Sequence, residues 1–222
     1  VVIGLRKQHA AVGSGLAFFL GNPVLNPATL VFMGFILGWQ FSAIRLVVGL
    51  LLIAIVVAIA NRMTTDEASG EAPAPELAAI ERPDRSFGTL AIAWLKELWN
   101  EIVAIIPGYV LIVFILGGLR AWFFPPDFTI HASGVAGMTL VSLVGTLFVI
   151  PTAGEVPIVQ TLLAHGMSIG AAVALIITLP AISLPSLFIV RKAFPANVLA
   201  MTFGVIFAGG LIAGTIAQLV DR

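Results

Sequence analysis

Apolar residues in this chain come in long blocks rather than in alternation, and the blocks have bilayer-crossing length. A helix needs about 20 mainly apolar residues to traverse ~30 Å of hydrocarbon. Phe41–Ile59, Ile102–Leu119, Gly134–Ile150 and Ala196–Val220 meet or approach that length, and the first of them carries a single charge, Arg45. Two further apolar stretches are interrupted: Gly13–Trp39 at Asn22-Pro23 and Asn26-Pro27, and Val156–Val190 at Pro180 and Pro185. These predict broken helices or re-entrant hairpins, which membrane depth tolerates only inside protein or beside a wet cavity. Thr64–Phe87, rich in Ala, Pro, Glu and Asp, reads as a solvated linker. After it, Trp94, Leu95, Leu98, Trp99 and Ile102 share one helical face, the pattern of a helix lying in the headgroup plane.

The interrupted stretches are related. Laid 157 residues apart without gaps, Val1–Val31 falls on Ile158–Phe188: Gly13 meets Gly170, Ala17 meets Ala174, Pro23 meets Pro180 and Leu30 meets Leu187. Asn26 meets Ser183 and Thr29 meets Ser186, so small hydrogen-bonding residues coincide as well. Each copy is followed by a long span. The expected fold is therefore all-α, a polytopic membrane bundle of helices with two inverted repeats containing broken or re-entrant helices. Inversion follows if each interrupted stretch is a hairpin, because three spans then separate the copies. The chain divides into residues 1–63, a first repeat that opens on Val1 and is read as lacking its N-terminal part; a hydrophilic linker, 64–87; and an interfacial helix with the second repeat, 88–222.

Composition supports this reading. Of 222 residues, 59% are hydrophobic and only 10% charged, against roughly a quarter charged in soluble domains. Charges balance, so no basic stripe points to nucleic acid. Cys is absent from these residues, which removes thiolate catalysis and Cys-held metals within them. No P-loop, Gly-x-Gly-x-x-Gly turn or His-Glu-x-x-His motif occurs in usable context. No catalytic group, metal or cofactor is expected, and the chain is read as something other than an enzyme.

Repeats with interrupted helices at corresponding positions point to a transporter's substrate site. Asn26-Pro27 reads as a helix start, with Asn as cap and Pro at the first position; Ser183, followed by Pro185 and Ser186, reads similarly. Such helix starts suit a polar or anionic solute, although Asn22, Asn26, Ser183 and Ser186 could equally serve only the backbone that the prolines free. Glu155 in Pro151-Thr-Ala-Gly-Glu-Val-Pro157 is a carboxylate flanked by apolar sequence, costly unless paired, protonated or wet. It is the expected proton carrier, or else a carboxylate at the membrane surface. The candidate substrate-binding set is Asn22, Asn26, Thr29, Glu155, Ser183 and Ser186. Arg45 either snorkels to the interface or lines the pathway.

Two resemblances bear on function. Asn26-Pro27-Ala28 is similar to the three-residue motif of aquaporins, which implies a passive channel. A broader one covers most of the chain. The Gly-Asn-Pro-Val-Leu-Asn-Pro-Ala run from Gly21, with Glu155-Val-Pro-Ile, His165-Gly-Met-Ser-Ile-Gly-Ala-Ala and Leu179-Pro-Ala-Ile-Ser-Leu-Pro-Ser, resembles the two half-motifs of the bacterial permease family of the YraQ and ArsP type. That resemblance implies a multi-pass permease of the cytoplasmic membrane, exporting a small solute such as an organoarsenical. The partners expected are the lipid bilayer and that solute, with room for a homo-oligomer. A passive channel and a non-transporting membrane subunit remain the alternatives.

Overall fold

The computed structural model describes residues 11–64, 134–148, 150 and 153–221, together with isolated helical positions between 88 and 115. The linker from residue 65, residues 1–10 with His9, and most of Ile102–Leu119 lie outside the described residues. Trp94, Leu95, Leu98 and Trp99 are helical and exposed.

Eight helices are described: α1 (Val12–Val24), α2 (Pro27–Ile36), α3 (Trp39–Met63), α4 (Gly134–Leu147), α5 (Glu155–Ala164), α6 (Ile169–Ala181), α7 (Leu184–Val190) and α8 (Ala196–Val220). No strand occurs among the described residues. Among the described residues, four spans are long and apolar enough to cross a membrane: Val12–Ile36, Trp39–Met63, Ile169–Val190 and Ala196–Val220. The fold is an all-helical membrane bundle.

Both interrupted stretches contain a broken helix, and in the second the short α5 also packs back on α6. α1 and α2 each pack along α3. The breaks fall at Leu25-Asn26 and Ile182-Ser183. Pro23 and Pro180, read from sequence as interruptions, instead lie inside α1 and α6 near their C-terminal ends. The stops are imposed downstream, by Pro27 and Pro185, which bring no N–H to the turn before.

The 157-residue offset reappears in the helix bounds. Val12–Val24 and Ile169–Ala181 differ by 157 at both ends (169 − 12 and 181 − 24), as do Trp39–Met63 and Ala196–Val220 (196 − 39 and 220 − 63). Side chains follow the same register. A Cβ on Gly13 would strike the Asn61 carboxamide. At the matching positions, Gly170 N–H donates to Gln218 Oε1 at 3.2 Å. Each copy thus sets the glycine-bearing start of its first helix against an amide near the end of its long span.

At the centre is α6. All of its 13 residues except Ile169 and Pro180 are buried, and it packs on α1, α3, α4, α5 and α8. A helix apolar all round belongs inside a bundle, and the run Ala171–Leu179 supplies that surface. The closest crossing is with α8. A Cβ on Gly214 would lie 2.6 Å from Gly170 O, and one on Gly170 2.5 Å from Gly214 O. Only glycine permits such backbone approach, the device small residues serve between membrane helices. Gly38, at φ 109°, makes the tight turn from α2 into α3, a conformation that favours glycine.

Replacing Gly214 by Val should therefore cost about 1–3 kcal/mol through overpacking, read as a lowered thermal midpoint in detergent. Gly204→Ala, where an added Cβ meets nothing within 4 Å, should leave the midpoint unchanged or higher. Equal effects of the two would contradict the crossing.

Candidate functional site

The break after α1 creates a specific chemical problem. In a continuous helix, the carbonyls of Pro23 and Val24 would accept from residues 27 and 28. Residue 27 is proline and has no N–H; the N–H of Ala28 donates instead to Asn26 Oδ1 at 3.0 Å, and that of Thr29 to the same oxygen at 3.3 Å. Asn26 is thus the N-cap of α2, and its capping diverts a donor from α1. Two carbonyls are left over where lipid offers no water.

Arg45 takes both. From α3, its Nη2 donates to Pro23 O at 2.7 Å and its Nε to Val24 O at 3.0 Å. The remaining arm, Nη1, meets Glu155 Oε1 at 2.5 Å. Arg45 is 0% exposed and Glu155 2% exposed. Arg45 therefore neither snorkels nor reaches an interface; it is a fully buried cation joining the end of α1 to the first residue of α5. Glu155 is correspondingly buried and paired rather than a surface carboxylate. Its place in the first turn of α5 sets its charge against that helix's positive end. Ala153, two residues earlier, holds a left-handed φ of 65°, a conformation uncommon and costly for a residue with a Cβ. Such strain persists where the surroundings over-determine the backbone, and here it delivers Glu155 to the guanidinium.

Beside the pair lies a cavity of about 180 Å³. Phe19 and Pro23 of α1 form one wall, Ile150 and Ala153 lead into Glu155, and the stretch Leu179–Ser183 with Ser186 closes the other side. It therefore sits between the first copy and the break of the second. Three of the six candidate residues line it: Glu155, Ser183 and Ser186. Asn22 is exposed, Asn26 caps α2 and Thr29 is buried, and none of these three lines the cavity. Ser183 and Ser186 form a reciprocal capping box on α7. His165 lies in the turn after α5, its Nδ1 2.7 Å from Thr161 O. No group of three His, Cys, Asp or Glu able to hold a metal ion occurs among the described residues.

Sequence reasoning missed the partnership of Arg45 with Glu155. A signal was available: they are opposite charges, each alone within apolar sequence, and a buried charge requires a partner. The apolar cavity wall, Phe19 and Ile150, gave no signal apart from hydrophobicity.

The chain matches, over residues 1–219, the family described as predicted permease. It belongs to that family. It is similar to UPF0718 protein YraQ of Escherichia coli strain K12, 44% identical over 224 residues, a match covering 99% of this chain and 62% of that protein. It is also similar to UPF0718 protein MJ0584 of Methanocaldococcus jannaschii, 26% identical over 132 residues, covering 58% of this chain and 36% of the other. The chain thus spans less than two-thirds of the length of the curated relatives it matches. No solved structure matches it. Family membership and the four apolar spans make it part of an integral membrane protein.

Removing one member of a buried ion pair strands the other, at a cost of about 3–5 kcal/mol. Glu155→Gln should destabilise by that order, and Arg45→Met by more, because Pro23 O and Val24 O also lose their donors. The double variant Arg45→Met/Glu155→Met should lose clearly less than the two single losses summed. Additive losses in a thermal-unfolding cycle would show that the pair is not energetically coupled.

Proposed function

We propose that this chain forms the core of a secondary permease that exports a small solute across the cytoplasmic membrane through the cavity between its two repeats. The observation that carries the reading is the buried Arg45–Glu155 pair, set at a helix break and beside that cavity. Ionisable groups in a membrane interior are costly and mark ion or substrate pathways. Helices interrupted at corresponding positions of two repeats mark where a carrier binds. Membership of the permease family supports the same conclusion.

In this reading the two copies are related by inversion, and alternating access rocks one against the other. The pair is the contact through which they sense each other. Arg45 and the carbonyls it holds belong to the first copy; Glu155 precedes the first helix of the second. Protonation of Glu155 removes the charge that Arg45 holds and loosens this link, which couples proton movement to the change of access. Asn22, Asn26 and Thr29 fall outside the cavity, so solute contact centres on Glu155, Ser183 and Ser186. On the family resemblance, small organoarsenical-like compounds are the first solutes to try. The chain acts as a carrier rather than an enzyme, its partners being the bilayer and its solute.

The test is efflux and uptake of a solute panel by the full-length protein in proteoliposomes under imposed proton gradients. Glu155→Gln should reduce gradient-driven flux at least tenfold. Undiminished pH-dependent transport by that variant would remove Glu155 from the coupling step, and no flux for any solute in the wild type would sink the permease reading.

A further inference from the structure

The two breaks share a register but satisfy their carbonyls differently. At the end of α1, Pro23 and Val24 are held by a cation built into the chain, Arg45. Shifted by 157, these positions become Pro180, Ala181 and Thr202. Thr202 is buried, and its hydroxyl donates to Val198 O at 2.8 Å, within its own helix. The second copy therefore has no counterpart to the guanidinium.

Local donors do not fill the gap. Pro185 has no N–H to return to Ala181 O, and the N–H of Ser183 goes to Ser186 Oγ at 2.8 Å instead of to Leu179 O. No described residue donates to the carbonyls of Leu179, Pro180 or Ala181. Backbone carbonyls inside a protein are almost always partnered, and these three residues, Leu179 and Ala181 buried and Pro180 half-buried, line the cavity together with Glu155. Glu155 spends only Oε1 on Arg45, and no described residue donates to its other oxygen. The hydroxyl oxygen of Ser183, also at the cavity, accepts from Ser186 N–H at 3.3 Å and keeps one further lone pair. The C-terminal end of a 13-residue helix contributes partial negative charge to the same space. On this wall the described acceptors outnumber the free donors, of which the Ser183 hydroxyl is one.

We propose that the cavity binds a small cation at the C-terminal end of α6, where the first copy carries Arg45 at the end of α1. The ligand chemistry is a compact positive charge satisfied by backbone carbonyls, one carboxylate oxygen and a hydroxyl. Unwound carbonyls and half-helix C-terminal ends are the groups that hold coupling cations in other carriers. Two sources share this chemistry: a free alkali-metal ion, or an ammonium group on the solute. The binding stands independently of the permease reading; its use in coupling rests on that reading.

The experiment follows thermal unfolding of the purified full-length protein in lithium, sodium, potassium or methylammonium chloride against choline chloride at constant ionic strength. At least one small cation should raise the midpoint saturably by several degrees, whereas choline, too large for the site, should not. A response to alkali ions identifies a free ion, and a response to methylammonium alone identifies the head of an amine solute. Thr202→Arg supplies the missing guanidinium and should abolish the response while raising the midpoint in choline chloride. Glu155→Gln should raise the half-saturating concentration at least tenfold. Equal wild-type midpoints in all the chlorides would overturn the proposal whether or not the variants fold, as would a folded Thr202→Arg protein with an undiminished response. Cation binding with no solute flux would sink the transport reading and leave the site standing.

Discussion

Inside a bilayer, a helix can stop only where something other than water takes over its last carbonyls, and this constraint organises the molecule. At the end of α1 the task falls to Arg45, which occupies all three of its nitrogens: two on carbonyls and one on Glu155. A guanidinium suits the position because its fork is planar and always charged. Burying it requires an anion, and that anion fixes where α5 begins. The left-handed turn at Ala153, the start of α5 and part of the cavity wall lie around the neutralisation of one charge at one interrupted helix.

Around this point the repeats act as paired clamps. In each, a long span closes over a broken helix, with an amide at one end set against a glycine at the other: Asn61 at Gly13, Gln218 at Gly170. Ser42 adds a further stitch in the first copy, donating to Leu30 O at 2.7 Å across the turn from α2 to α3. The copies diverge at the breaks. With Arg45 in one register position and Thr202 in the other, the last carbonyls of α1 are held by a guanidinium and those of α6 are not.

The fold was largely legible in sequence. Apolar block length gave the long spans, with Ala196–Val220 predicted to the residue, and the internal offset anticipated that helix bounds would recur 157 apart. Asn26 was read as a cap because Asn before Pro has a local chemical meaning, and it caps α2. What misled was the assumption that every proline interrupts. Pro23 and Pro180 sit in helices, because proline ends a helix by denying a donor to the turn before it and need not stop the turn that contains it. The site was less legible, since a pairing between residues 45 and 155 depends on how α1, α3 and α5 stack, and no local pattern encodes that stacking. Glu155 stood out as a lone carboxylate in apolar sequence; its partner did not, because a long basic side chain has a cheap escape to the surface that Arg45 does not take.

The nearly complete burial of α6 has a further consequence. Lipids press on the outward faces of α3 and α8, where Leu50, Leu51, Ile212 and Ile216 are exposed. α6 has almost no such face. Changes in bilayer thickness or acyl-chain order must therefore reach it second-hand, through the helices around it. The cavity wall formed by its end is thereby largely shielded from direct contact with lipid.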